Sequence, residues 1–108
     1  MTLAIQGKLV QGKLRSEDVD NKLVFNNFME VLVITGSTRG IGFCIANYLR
    51  SKYKIVIHGK TEESIQSAKK RLGNSDTIYY VTKDLLNQPT EFIDMIIDHF
   101  GRIDILIN

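Results

Sequence analysis

Three glycines stand where the sequence changes from a predicted strand to a predicted helix. The apolar run 31–34 is typical of a buried strand, and residues 43–50 are predicted to form the helix that follows. Between them lies the glycine loop, Thr35-Gly36-Ser37-Thr38-Arg39-Gly40-Ile41-Gly42. Glycine lets the backbone turn tightly and approach a ligand, and the start of a helix offers unpaired N–H groups to an anion. The glycine loop is therefore predicted to bind a phosphate group.

The rest of the chain repeats the alternation of strand and helix. Further strands are predicted at 54–58, 77–81 and 103–107, and further helices at 62–72 and 89–100. Strands joined through helices form parallel sheets with right-handed crossovers. The sequence therefore predicts an α/β fold, the N-terminal half of a doubly wound parallel sheet with strand order 3-2-1-4.

The helix after the glycine loop is expected to turn an apolar face to the core. That face would contain Ile41, Ile45, Tyr48 and Leu49, which recur at helical spacing. Cys44 is the single cysteine of the chain. A lone cysteine cannot form an internal disulfide. Cys44 is expected to be a small buried side chain, as free cysteines commonly are.

Composition excludes several classes of function. The net charge of +2 is too small to indicate nucleic-acid binding by itself. No apolar run approaches the roughly 20 residues of a membrane helix, and the N-terminus lacks the apolar core of a signal peptide. No cluster of side chains has the spacing of metal ligands. With one cysteine, a reducing compartment fits, and we expect a cytoplasmic protein.

Three segments together resemble the short-chain dehydrogenases/reductases, a family of Rossmann-fold oxidoreductases. The glycine loop is similar to that family's cofactor loop, as it occurs in 3-oxoacyl-carrier-protein reductases and in many sugar or alcohol reductases, and does not separate them. Asp84-Leu85 follows the third strand, and 101–108 resembles the strand that leads into the family's N-N-A-G motif. The resemblance implies a truncated dinucleotide-binding domain over 29–108. Residues 1–28 do not fit the family and are predicted to be a partly disordered extension.

The end of the second strand lacks the acid that NAD-binding proteins place there. A carboxylate at that point accepts hydrogen bonds from the ribose 2′-OH, but this sequence has His58-Gly59-Lys60. A cation attracts a 2′-phosphate, and Arg39, just before Gly40, supplies a second one. The resemblance therefore favours NADP(H) over NAD(H). The alternative is that both cations are ordinary solvated charges.

The resemblance also assigns cofactor contacts outside the glycine loop. Besides Lys60, it implies that Asp84 meets the adenine amino group and that Leu85 borders the ring. The alternative for Asp84 is an ordinary turn after a strand, where Asp is common. Asn108 matches the first Asn of the N-N-A-G motif, which supports the sheet near the cofactor.

No catalytic residue is predicted within the chain, because the family's Ser and Tyr-x-x-x-Lys pair find no credible counterpart. Tyr79 and Lys83 would lie roughly 13 Å apart along a strand. Tyr48 and Lys52 would lie roughly 9–15 Å along the helix from its phosphate end.

Two classes of function stay open. The first is the NADP(H)-binding portion of an oxidoreductase whose complete form transfers hydride to or from a carbonyl or alcohol substrate, with homo-oligomerisation left open. The second is a non-catalytic module that binds a nucleotide or pairs with another chain. A truncated gene product without a stable fold is the remaining alternative.

Overall fold

A computed structural model describes residues 29–108, so the predicted extension over 1–28 lies outside the described residues. In chain order the elements are β1 Val31–Ile34, α1 Gly40–Leu49, β2 Lys54–Gly59, α2 Glu62–Leu72, β3 Ile78–Thr82, α3 Pro89–Phe100 and β4 Ile105–Ile107. The strands form one parallel sheet of order β3-β2-β1-β4. The predicted fold class and strand order are confirmed. No helix within 29–108 is long and apolar enough to span a bilayer.

The sheet separates two apolar layers, because successive side chains of a strand point to opposite faces. One layer packs Leu32 and Ile34 of β1 against side chains of α1 and α2. The other packs Val31 and Val33 against Phe92 and Ile96 of α3. All four side chains of β1 are buried, as expected for a strand covered on both faces. This arrangement fixes the end of β1 at the middle of the sheet, where the glycine loop begins.

The buried face of α1 is not the predicted one. Ile41 and Tyr48 are 79% and 83% exposed, and Cys44 is exposed as well. Those predictions were wrong, although Ile45 and Leu49 do pack against the core. The helix begins at Gly40 rather than at residue 43.

Gly42 explains this rotation of α1. A Cβ at Gly42 would lie 3.0 Å from the backbone oxygen of Gly36 and 3.0 Å from Cα of Ser37. The helix therefore turns its Gly42 side toward the glycine loop. With about 3.6 residues per turn, Ala46 then lies on the same side, and it is fully buried.

Residues that commonly begin or end helices stand at the ends of α2 and α3. Thr61 caps α2 by accepting a hydrogen bond from the Ser64 N–H at 3.2 Å. Gly73 and Gly101 end α2 and α3 with φ angles of +82° and +84°, where residues with a Cβ are disfavoured. These stops let the chain enter the next strand without extending the helix.

The fourth strand is shorter than predicted, and Asp104, just before it, bonds to Val31 through its side chain as well as through its backbone N–H, which donates to the Val31 carbonyl at 3.0 Å. Asp104 Oδ2 accepts a hydrogen bond from the Val31 N–H at 2.8 Å, and Oδ1 accepts one from Arg102 Nη2 at 2.6 Å. Regular pairing with β1 begins at Ile105. The buried carboxylate therefore fixes the start of β1 relative to β4 and lies away from the glycine loop.

Candidate dinucleotide-binding site

The glycine loop, which follows β1, contains two glycines that face open space. Gly36 and Gly40 have φ angles of +61° and +65°, and no atom lies within 4 Å of where a Cβ would stand on either. The following helix has no side-chain cap at Arg39 and no acidic residue in its first turn. The first N–H groups of α1 are therefore available to an anion that approaches the loop.

Ser37 holds the glycine loop against the second strand. Its side chain is fully buried; the hydroxyl donates to the Ile34 carbonyl at 2.6 Å and accepts from the His58 N–H at 2.9 Å. The Ser37 N–H donates to the His58 carbonyl at 2.9 Å. The side chain of Ser37 therefore shapes the loop from beneath, and Thr38 is buried beside it.

His58 links the glycine loop to the end of β3. Its ring is buried, with 6% of the residue exposed. Nδ1 accepts a hydrogen bond from the Gly36 N–H at 3.0 Å, and Nε2 lies 2.9 Å from the Lys83 carbonyl oxygen. Sequence reasoning missed this role. The available signal was a polar side chain directly after the buried run 55–57.

Two of the predicted cations lie at one cleft between the glycine loop and the start of α2. The cleft has a volume of about 640 Å³. Arg39 and Lys60 both line it and both are exposed. Arg71 adds a third cation near the other end of α2, stacked 3.7 Å from the centre of the Phe43 ring. Glu63 is the carboxylate among the lining residues, so the balance of charge in the cleft attracts anions.

Gly59 forms part of this cleft and has no room for a side chain. A Cβ at Gly59 would lie 2.7 Å from Ser64 Oγ and 2.7 Å from Thr38 Cγ2. The end of β2 is thereby packed closely between the glycine loop and the first turn of α2. The end of β2 therefore lacks the acidic side chain and, at Gly59, also lacks the space for it.

A second cleft, of about 320 Å³, lies on the β3 side of the glycine loop. It meets the first cleft at Gly36 and Lys60, which line both. The predicted adenine contacts Asp84 and Leu85 also line it, together with the 88% exposed Leu86. The larger cleft could take a charged group. The smaller cleft could take a flat ring, because Leu85 and Leu86 supply apolar side chains there.

The Asp84 carboxylate already has partners within its own turn. Oδ1 accepts from the Leu86 N–H at 3.0 Å, and Oδ2 accepts from Asn87 Nδ2 at 2.8 Å. A carboxylate has about four acceptor positions, so Asp84 can build the turn and still accept a hydrogen bond from a ligand. The turn and the ligand interpretations of Asp84 are therefore compatible.

Asn108 lies beside the start of the glycine loop. Thr35 Oγ1 donates to Asn108 Oδ1 at 2.7 Å, and the Thr35 N–H donates to the Ile107 carbonyl at 3.0 Å. The end of β4 is thus joined to the loop that follows β1.

The two Tyr-x-x-x-Lys matches bring no tyrosine into either cleft, although Lys83 lines the smaller one. Tyr48 is in the last turn of α1, at the opposite end of the helix from the glycine loop. Tyr79 instead stacks on His99, with ring centroids 3.9 Å apart. Within 29–108, the acidic, histidine and cysteine side chains form no cluster that could hold a metal ion.

Comparison with known proteins agrees with this arrangement. The sequence model of the family described as short chain dehydrogenase matches residues 30–108. The chain belongs to the short-chain dehydrogenase family. It is 33% identical over 81 residues to an uncharacterized oxidoreductase of Staphylococcus haemolyticus, an alignment that covers 72% of this chain and 35% of that protein.

Two further similar proteins extend the comparison. An NADP-dependent 3-hydroxy acid dehydrogenase of Escherichia coli is 30% identical over 81 residues, covering 72% of this chain and 32% of that protein. The crystal structure of a short chain dehydrogenase from Bacillus anthracis superposes with a TM-score of 0.63 at 33% identity, covering 71% of this chain and 34% of that one. The chain therefore spans about a third of the length of these relatives.

Proposed function

We propose that residues 29–108 are the NADP(H)-binding portion of a short-chain oxidoreductase. The observation that carries this proposal is the meeting of Arg39 and Lys60 at the cleft beside the open glycine Gly36. When bound, the nicotinamide would exchange a hydride with a carbonyl or alcohol substrate in the complete enzyme. The residues of this chain would hold and orient the cofactor.

The described residues fit the parts of NADP(H) one by one. Gly36, Gly40 and the uncapped start of α1 suit the pyrophosphate, because the two glycines leave open space and the first turn of α1 offers N–H groups. Arg39 and Lys60 suit the 2′-phosphate, because both are cations at one cleft. Asp84 and Leu85, in the smaller cleft, suit the adenine.

Preference for NADP(H) over NAD(H) has two independent supports. The end of β2 offers Lys60 and a Gly59 without space for a side chain, where an NAD-binding protein would place a carboxylate. The relative from Escherichia coli is named as NADP-dependent. Neither support identifies the substrate, which the complete enzyme would bind through residues outside the described clefts.

Catalysis is not proposed for the 108-residue chain by itself. Neither tyrosine of the Tyr-x-x-x-Lys matches lines a cleft, and we infer that the chain binds cofactor without turning over substrate. An assay of the purified chain with NADPH and a mixture of carbonyl compounds is expected to show no oxidation of NADPH. Turnover would mean that another group in the chain acts as the acid.

The decisive experiment is a titration of the purified chain with NADPH and, separately, with NADH. We expect NADPH to bind at least tenfold more tightly, a difference of about 1.4 kcal/mol in binding free energy. Replacing Arg39 and Lys60 together by Ala should remove that preference. Lys70→Ala is the matched control, because Lys70 is an exposed cation of α2 that lines neither cleft. Equal or tighter binding of NADH by the unaltered chain would refute the proposal.

One observation favours the second candidate, a module that pairs with another chain. β4 pairs with β1 on one side, and among the described residues no strand pairs with its other side. Leu106 of this strand is 55% exposed. An open apolar edge can add a strand from a partner. Sedimentation of the chain with and without NADPH would separate the candidates, because a pairing module should associate whether or not the cofactor is present.

A further inference from the structure

We propose that His58 is a positioning residue for the cofactor, because its neutral imidazole ties the glycine loop to the segment that carries Asp84 and Leu85. This inference rests on the proposed NADP(H)-binding function. It concerns the smaller cleft, whose lining contains Gly36, His58 and Lys83 as well as the two predicted adenine contacts. The ring itself is buried and acts through the backbone groups that it holds.

The two hydrogen bonds of His58 join segments that follow different strands. Gly36 belongs to the loop after β1, and Lys83 directly follows β3. The ring of His58, on β2 between them, accepts from Gly36 at 3.0 Å and contacts the Lys83 carbonyl oxygen at 2.9 Å. The Lys83 N–H also donates to the Gly59 carbonyl at 3.1 Å. The ring therefore fixes the separation of the two sides of the smaller cleft.

The partners of His58 determine which ring nitrogen carries the hydrogen. The Gly36 N–H is a donor, so Nδ1 must be an unprotonated acceptor. The Lys83 carbonyl oxygen is an acceptor, so Nε2 must carry the hydrogen. Only the neutral tautomer protonated at Nε2 satisfies both contacts. Phe92 packs edge-on against the ring, with centroids 5.0 Å apart, and leaves little freedom to turn it over.

Loss of the ring would act on the cofactor through Gly36. This residue has a positive φ angle, lines both clefts and donates its N–H to His58. Without that acceptor, the Gly36 N–H would lose its partly buried partner, and so would the Lys83 carbonyl. Polar groups that lose such partners favour a rearranged backbone. We therefore expect the loop and the Asp84 segment to lose their fixed spacing.

Three variants of the full chain test the two contacts of His58 with Gly36 and Lys83. His58→Leu removes both contacts at similar volume, His58→Asn keeps an acceptor near the position of Nδ1, and His58→Gln keeps a donor near that of Nε2. We expect His58→Leu to weaken NADPH binding roughly tenfold or more, and each amide variant to recover part of the loss. His99→Ala is the control, because His99 is exposed and lines neither cleft. Thermal melts establish that each variant is folded.

A nitrogen-15 spectrum of the histidine rings in the unaltered chain supplies a readout that does not depend on any variant. The expected signature of His58 is an unprotonated Nδ1 and a protonated Nε2, unchanged when NADPH is added. Protonation at Nδ1 would overturn the inference even if His58→Leu does not fold. A folded His58→Leu that binds NADPH as tightly as the unaltered chain would overturn it while leaving the proposed function standing. Absence of NADPH binding by the unaltered chain would instead overturn the proposed function, and this inference with it.

Discussion

Gly59 and Thr38 pack so closely that a Cβ on the glycine would lie 2.7 Å from Cγ2 of the threonine. Thr38 belongs to the glycine loop and Gly59 ends β2, so this contact sets how near the two segments come. The same glycine stands where an NAD-binding protein would place an acid. At Gly59, therefore, a side chain would both crowd the larger cleft and, if acidic, change its charge.

Gly59→Asp is predicted to weaken NADPH binding more than Gly59→Ala does. Both substitutions crowd Ser64 and Thr38 and should lower the free energy of unfolding by about 1–3 kcal/mol. Only Asp adds a negative charge to the cleft that contains Arg39 and Lys60. Titration with both cofactors, alongside urea unfolding, separates crowding from charge. If the two variants bind NADPH equally well, the 2′-phosphate does not lie near Gly59.

Gly36→Val is predicted to abolish cofactor binding without unfolding the chain. The position has open space for a side chain but a φ angle of +61°, and a branched side chain there would occupy the approach of the pyrophosphate. The conformational cost is about 1–2 kcal/mol. Gly101→Val is the matched control, with a φ angle of +84° and open space at the end of α3. Both variants should be destabilised, and only Gly36→Val should fail to bind; normal binding by it would move the phosphate site elsewhere.

Asp104→Ala is predicted to lower the free energy of unfolding by about 1–3 kcal/mol, because it leaves the Val31 N–H without its acceptor. Its effect on the cofactor preference should be small, since Asp104 lines neither cleft. Urea unfolding measures the loss, with Asp98→Ala, an exposed carboxylate of α3, as control. Equal stability of the two variants would show that Val31 finds another partner.

Leu106→Lys is predicted to reduce self-association of the chain. We expect the unaltered chain to associate as its concentration rises, because β4 presents a half-exposed apolar residue on an open edge. A charge on that edge opposes pairing of strands. Tyr48→Lys, which adds the same charge on an exposed part of α1, should leave association unchanged. Sedimentation at several concentrations checks this, and an unaltered chain that stays monomeric would contradict it.

Local patterns were sufficient to predict which strands and helices form and in what order, because apolar runs such as 31–34 mark buried strands, although α1 begins earlier and β4 begins later than predicted. They were insufficient wherever a contact between distant segments decides the outcome. The buried face of α1 depends on the approach of Gly42 to Gly36 and Ser37. The helical periodicity of the sequence gives no information about that approach. The role of His58 likewise requires β3 to lie beside β2, so that Lys83 comes within reach of the ring.

The bond between Thr35 and Asn108 closes a segment with a sequence separation of 73 residues. Pairing of β1 with β2 closes a loop about a third as long, and the longer closure costs about 1 kcal/mol more in chain entropy. Contacts of long range also slow folding. The β1–α1–β2 crossover is therefore expected to form early, before β4 docks on the other side of β1. During synthesis, that side of β1 would remain open until β4 has left the ribosome, and the glycine loop would acquire its Asn108 contact only after that.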